Sequence, residues 1–146
     1  MASLQDLFVS KVRVKLLQIF LSEQDEIFYV RQLVRKAEEE INAVRRELGR
    51  MEARGMVTRE ARANRVYYGF KKSYAFYDEL LRLTVKTTGI GEKIIKNKNK
   101  IGKLKFVMLS GKFIRKKTYE QQDVDLLVIG EVVLPKLALV IRSFES

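Results

Sequence analysis

The stretch VRQLVRKAEEEINAVRRELGRMEARGMVTREARANRVYYGF, Val30 to Phe70, decides how this chain folds. At its centre, Ile41, Val44, Leu48 and Met51 recur at steps of three, four and three, which is one stripe of an α-helix. With that stripe turned inward, Asn42, Arg45, Arg46, Gly49 and Arg50 fall on the opposite face. Glu38, Glu39 and Glu40 come first, where carboxylates suit the positive end of the helix dipole, so the helix is placed over residues 38–54. Gly55 is suited to end it. Upstream, Val30 to Ala37 reads as a shorter helix with Leu33 and Val34 inward. Downstream, Met56 and Val57 open a strand. Arg62-Ala63-Asn64 forms a turn in which Asn64 is the residue tolerant of positive φ. Val66, Tyr68 and Phe70 then alternate, as a strand with one buried face should.

Towards the N-terminus, Phe8, Val12, Leu16, Ile19 and Phe20 predict a first helix over Leu4 to Leu21. The polar run Ser22 to Glu26 breaks it, and Ile27-Phe28-Tyr29 suits a short strand. Towards the C-terminus, Lys71-Lys72-Ser73 reads as a domain boundary. Tyr74 to Thr88 is a helix with Phe76, Leu80, Leu83 and Thr87 on one face, and Gly89-Ile90-Gly91 interrupts it. Glu92 to Lys103 continues as a helix that frays at its Asn/Lys-rich end. Leu104 to Leu109 is a strand. Asp123 to Ile129 is a strand buried on both faces, because Leu126 to Ile129 are all apolar. Leu134 to Phe144 is a last helix with Pro135 in its first turn. There is no internal repeat.

These elements predict an α+β protein with three parts: an N-terminal domain over residues 1–72, linking helices over 73–104 and a small α/β module over 105–146. A domain of about 70 residues has a modest core, and a short sheet leaves open edges that invite pairing. A homodimer is therefore expected, with the first helix and the Tyr74 to Thr88 helix as its natural surfaces.

Composition narrows the chemistry. The 146 residues carry 29 Lys and Arg against 18 Asp and Glu, a formal charge of +11 with a pI near 9.9. Such a balance favours phosphate-rich partners. The excess is spread over both halves, with 15 basic against 10 acidic residues in 1–72 and 14 against 8 in 73–146. Lys93 to Lys117 holds ten basic residues and no acid, which is either a solvated face or a phosphate-contacting field. Cysteine and histidine are both absent. That removes disulfides, thiolate chemistry, the commonest metal ligand and any Ser-His triad. With 47% hydrophobic residues the chain can build a core, and no apolar run approaches the ~20 residues that span a bilayer. No membrane partner and a cytoplasmic location are expected.

The arginine face of the central helix carries the functional expectation. Arg can donate two hydrogen bonds to a guanine edge and Asn can pair twice with an adenine edge, each worth roughly 1–3 kcal/mol of discrimination. Candidate DNA-contacting residues are therefore Asn42, Arg45, Arg46 and Arg50 on the helix. Arg59, Arg62, Asn64 and Arg65 around the hairpin would reach the sugar–phosphate backbone or a narrow minor groove. Arg46 and Arg50, four residues apart, repel one another in isolation. The alternative is a solvated helix whose arginines pair with Glu38, Glu39, Glu47 and Glu52.

EINAVRRELGRMEARGMV followed by REARANRVYYGF resembles the recognition helix and wing of bacterial and archaeal winged-helix transcriptional regulators, over roughly residues 8–72. The resemblance implies a regulator that binds double-stranded DNA, reads the major groove with Asn42 to Arg50 and makes wing contacts from Arg62 to Arg65.

Further on, Asp123-Val124-Asp125 stands at the mouth of a strand, where residues two apart share a face and both carboxylates can address one divalent cation. The turn at Ser110-Gly111 suits backbone approach to phosphate. VMLSG, DVDLLVIG and the preceding KTTGIGEKI resemble minimal members of the polymerase-β-like nucleotidyltransferase superfamily fused to winged helices, over residues 74–146. That resemblance implies a nucleotide at Ser110 and Gly111, Mg²⁺ at Asp123 and Asp125, and transfer of a nucleoside monophosphate. The turn here reads Ser-Gly rather than Gly-Ser, and the family's third carboxylate has no counterpart; Glu131 and Glu145 are the only later acids. The expectation is a truncated, non-catalytic module, with no resident cofactor unless that Mg²⁺ site is retained.

Overall fold

Ser10 starts the first helix. Its hydroxyl accepts the N–H of Arg13 at 3.1 Å, so α1 runs over Lys11–Ser22 rather than from Leu4; a serine cap of this kind contributes about 1 kcal/mol. The computed structural model describes residues 7–115 and 123–145. Residues 4–6 of the expected helix lie outside these, and Leu7 and Val9 are exposed. The buried positions of α1 are Val14, Leu16, Leu17, Phe20 and Leu21. Val12 and Ile19, expected inside, sit only half-buried at the margins. Seven of the ten residues from Val12 to Leu21 are apolar, so the sequence offers more than one stripe, and packing of Phe20 on Phe28 and Phe70 goes with the one that is buried.

The chain is mixed α+β, with two small antiparallel sheets among the described residues. Its contacts divide it into two compact units between Thr84 and Val85. In the first unit, α1 leads through β1 (Phe28–Tyr29) into α2 (Val30–Ala37) and α3 (Ile41–Ala53). The hairpin of β2 (Val57–Arg62) and β3 (Arg65–Phe70) follows, and the sheet order is β1-β3-β2. Cross-strand partners include Phe28 with Tyr68, Tyr29 with Tyr67 and Val57 with Phe70. The core forms where Phe20 meets Phe28 edge-on at 5.8 Å and Phe70 at 6.3 Å. Leu33, Val44, Leu48 and Met51 complete it at no measurable exposure. Burial of one such side chain stabilises by roughly 1.5–3 kcal/mol.

The glutamate run lies ahead of α3 rather than inside it. Glu38 takes the left-handed conformation (φ 52°) that ends α2, and Glu40 is the N-cap of α3. At the other end, the N–H of Gly55 reaches Glu52 O and that of Met56 reaches Met51 O, both at 2.9 Å. This paired closure needs a left-handed residue, and Gly55 supplies it at φ 71°. In the hairpin, Arg62 and Arg65 face each other across a two-residue loop of Ala63 and Asn64. The positive φ (52°) falls on Ala63, not on Asn64. A two-residue hairpin needs positive φ at its first loop position, and the register puts alanine there.

The helix after the hairpin, α4, begins at Tyr77, three residues later than expected, and spans Tyr77–Thr87. It buries Tyr77, Leu80, Leu81 and Thr84, while Phe76 is 61% exposed. Tyr77 fixes this rotation by packing on Phe70 at 5.9 Å and donating its hydroxyl to Gln24 Oε1 at 3.0 Å.

The second unit contains α5 (Gly89–Ile101), β4 (Gly102–Leu109), the one-turn α6 (Gly111–Ile114), β5 (Leu126–Val132) and α7 (Leu134–Glu145). The break before α5 is Thr88, in an extended conformation, so Gly89 and Gly91 belong to the helix rather than to a loop. At Gly91 a Cβ would stand 2.0 Å from the Val85 carbonyl oxygen, a closeness that glycine alone permits. α5 does not fray: Ile101 is fully buried and β4 starts directly after it. β4 and β5 pair antiparallel with an irregularity between Leu104 and Phe106. Leu104, Leu109, Leu126 and Val132 face a core of Ile90, Ile94 and Ile101 beneath α5 and α7. The opposite sheet face is open, with Phe106, Met108, Leu127 and Ile129 each 40–52% exposed. β5 is therefore not a strand buried on both faces, because one side of this two-stranded sheet has no layer against it.

Candidate nucleic-acid interface

Of the two carboxylates within α3, Glu52 stays exposed and Glu47 is turned inward. Glu47 is buried, 2% exposed, and forms an ion pair with Arg13 of α1. Ser10 Oγ donates to the same carboxylate at 3.4 Å, and Arg50 Nη1 lies 3.5 Å away. Glu39 pairs with Lys15 at 2.7 Å, and that bond holds its carboxyl below the usual range. Glu40 accepts the N–H groups of Asn42 and Ala43 at 2.9 and 3.0 Å, which lowers its pKa in the same way. The exposed face then carries Asn42, Arg45, Arg46, Gly49 and Arg50.

Four of the residues singled out by sequence, Arg45, Arg59, Asn64 and Arg65, come together along one open cleft of about 1010 Å³. Asn42, Arg46 and Arg50 do not line it and occupy the outer side of α3. Arg62 is drawn back along its own strand by Glu60, with bonds of 2.8 and 3.1 Å that raise its pKa and lower that of Glu60. Its guanidinium also lies 5.9 Å from the Tyr67 ring. Arg62 is thus the hairpin arginine whose charge is matched by a carboxylate.

The cleft contains two arginines that sequence reasoning missed, Arg31 and Arg35 of α2. Their signal was present: they stand four residues apart on the side of α2 away from Leu33 and Ala37, a like-charge pair that an isolated helix disfavours by a few tenths of a kcal/mol. Tyr29 was also missed. It lies below Arg65, whose guanidinium is 4.5 Å from the ring centroid, and against Tyr67 at 5.9 Å. Arg35 Nη2 donates to the Tyr29 hydroxyl at 3.3 Å. None of Arg31, Arg35, Arg45, Arg46, Arg59 or Arg65 takes part in an ion pair among the described residues.

The second unit is arranged differently. Ser110 caps α6 by accepting the Phe113 N–H at 3.0 Å, and its own N–H donates to Asp125 O at 2.9 Å. Ser110, Gly111, Asp123 and Asp125 are therefore brought together. Lys112 Nζ, however, lies 3.0 Å from both oxygens of Asp123, the position a cation would take. Asp125 Oδ1 is buried with no hydrogen-bond partner among the described residues. No group of three or more His, Cys, Asp or Glu side chains suited to a metal occurs among the described residues. Two carboxylates, one already matched by an ammonium, are a poor donor set for Mg²⁺, which needs several oxygen ligands. The lysine field is partly consumed internally: Lys93 donates to Ser143 O, Lys96 pairs with Glu92 and Lys103 lies 3.8 Å from Glu131. Lys116 and Lys117 lie outside the described residues.

No family model, curated protein or solved structure matches this chain. No helix among the described residues is long and apolar enough to cross a membrane.

Proposed function

We propose that this chain is a DNA-binding transcriptional regulator acting in the cytoplasm. In this reading the first unit is a winged helix-turn-helix domain. Helix α3 reads major-groove base edges with Asn42, Arg45, Arg46 and Arg50, and the β2–β3 hairpin is the wing, touching backbone or minor groove with Arg59, Asn64 and Arg65. One observation supports it above all. Among the described residues, six arginines from α2, α3 and the hairpin form no ion pair, although acids are plentiful in the same stretch. Five of them line one cleft whose lining contains no acid, and a polyanion matches such a lining. The test is anisotropy titration of labelled duplex DNA against the full chain at several salt concentrations. Arg45→Ala and Arg46→Ala should each weaken binding by more than about tenfold, the loss of one bidentate contact. If both variants bind like the parent, α3 is not the reading element.

In the same reading the second unit is a nucleotidyltransferase-like module serving assembly or ligand sensing. Transfer chemistry is the weaker reading, because Lys112 already neutralises Asp123. A homodimer fits the first reading. The apolar residues of α1 and α4 lie largely in their own core, which leaves the bare outer face of the β4–β5 sheet as the surface to test. Leu127→Glu should shift the sedimentation coefficient to that of a monomer; an unchanged value would exclude this face as the seam.

A further inference from the structure

We infer that Tyr29 is a positioning residue of this interface, holding Arg35 of α2 and Arg65 of the wing so that one sugar–phosphate strand of a duplex meets two pre-placed guanidiniums. The inference rests on the nucleic-acid reading above and adds to it a seat apart from the outer face of α3. Tyr29 lies in β1, between the two elements that carry these arginines, and both of its chemical groups are used. Its ring face takes Arg65 at 4.5 Å and its hydroxyl accepts from Arg35 at 3.3 Å. Tyr67, its partner across the sheet, packs edge-on at 5.9 Å and restricts the ring. The backbone N–H of Tyr29 donates to Gln32 Oε1 at 3.0 Å, which ties the strand end to the first turn of α2.

The choice of ligand follows from the cleft. Arg31, Arg35, Arg45, Arg59 and Arg65 line it from α2, α3 and the hairpin, and among the described residues none of them forms an ion pair. It is open, about 1010 Å³, and bordered by Tyr29 and Asn64. An elongated polyanion with repeated charges matches that lining. Long arginine side chains lose rotamer freedom when they grip a phosphate. A guanidinium already stacked on an aromatic ring loses less, so the ring contributes to affinity without touching the ligand.

The experiment is the salt dependence of duplex binding by the full chain, using a labelled mixed-sequence duplex and, in parallel, one of its single strands. Tyr29→Leu should bind the duplex about 5-fold more weakly and reduce the log–log salt slope by about one to two, the loss of one or two phosphate contacts. Tyr29→Phe keeps the stack on Arg65 and loses the bond to Arg35, so its slope should fall by about one at most. A purely structural tyrosine would lower only the melting temperature, and unchanged affinity and slope in folded Tyr29→Leu would overturn the inference. So would losses confined to the single strand. Should Tyr29→Leu not fold, Tyr29→Phe and Arg35→Gln report the same coupling. Their combined effect should not exceed that of either alone, and full additivity overturns the proposal. Failure of the parent chain to bind duplex in a salt-dependent way is a separate result, which removes the nucleic-acid reading itself.

Discussion

Replacing Glu47 should separate the stability of α3 from its surface chemistry. The Glu47 side chain is 3% exposed, Arg13 is 30% exposed and Arg50 is 67% exposed. Removing one member of a buried pair typically costs 3–5 kcal/mol, because the other is left uncompensated. Arg50 already faces water and loses little. Arg13 is partly wet, so solvent recovers a fraction of its loss, and Glu47→Met should cost about 2–3 kcal/mol. For a unit of this size that corresponds to about 10–15 °C in melting temperature. Arg13→Met alone should cost a similar amount by stranding Glu47. The double variant, with an apolar pair of similar volume, should fall well short of the sum, giving a coupling of at least about 1.5 kcal/mol. Urea denaturation followed by circular dichroism on the four proteins measures it. Additivity within about 0.5 kcal/mol would refute the claim that this pair pins α3 to α1.

Glu40 predicts a pH dependence. Two backbone N–H groups lower its folded pKa below the ordinary 4.5, so its contribution is present above that value and is lost as pH falls through the folded pKa. Melting curves of parent and Glu40→Gln should therefore differ at neutral pH and converge in acid; a constant gap would show that its charge is irrelevant. Gly91→Ala should destabilise the second unit by more than the few tenths of a kcal/mol typical of an exposed change, since the new Cβ would meet the Val85 carbonyl at 2.0 Å. An unaltered melting temperature would mean that α4 and α5 yield there freely. Arg45→Gln with Arg46→Gln should leave the free protein as stable or slightly more stable by calorimetry while weakening duplex binding. A loss of stability would place those arginines among the structural residues.

The order of elements from Ile27 to Phe70 was legible because each carries a strong local signal. The 3–4–3 stripe of α3, Gly55 at its end and the alternation in β3 all depend on residues within one turn or one strand. The same holds for α2, whose limits of Val30 and Ala37 were readable from sequence. The misreadings arose where distant partners decide. Val12 to Leu21 is apolar on too many sides for period alone to choose a stripe. The rotation of α4 depends on Tyr77 reaching Gln24, 53 residues away. Four consecutive apolar residues in β5 suggest burial on both faces, yet among the described residues no layer covers its outer side. The site divides in the same way. The arginines of α3 and the hairpin follow from their pattern, whereas Tyr29, Arg31 and Arg35 gain meaning only when the fold brings α2 beside the hairpin. Glu47 looked like one more surface acid, and nothing local marks it as buried, since its partner lies 34 residues away in α1.

The disposition of the acids weakens the alternative of a merely solvated face. Residues 1–72 contain ten carboxylates among fifteen basic groups, and unbiased pairing would neutralise most of the arginines near α3. Instead, Glu39 goes to Lys15, Glu40 to the backbone of its own helix and Glu47 inward to Arg13. Each of these contacts also fixes α3: one ties the glutamate run ahead of it to α1, one caps it and one clamps its middle. Glu47 is thus buried, and Glu39 and Glu40 are engaged at the margin of α3, by bonds that also hold the arginine-bearing helix in place, while Glu38 and Glu52 stay exposed. Among the described residues, the carboxylate paired with a hairpin cation is Glu60, and it neutralises Arg62 rather than Arg59 or Arg65. Like charges on an exposed face cost a free protein stability. That repulsion, left standing in a fold that uses several of its acids to build the helix, is what the proposed binding of an anion would relieve.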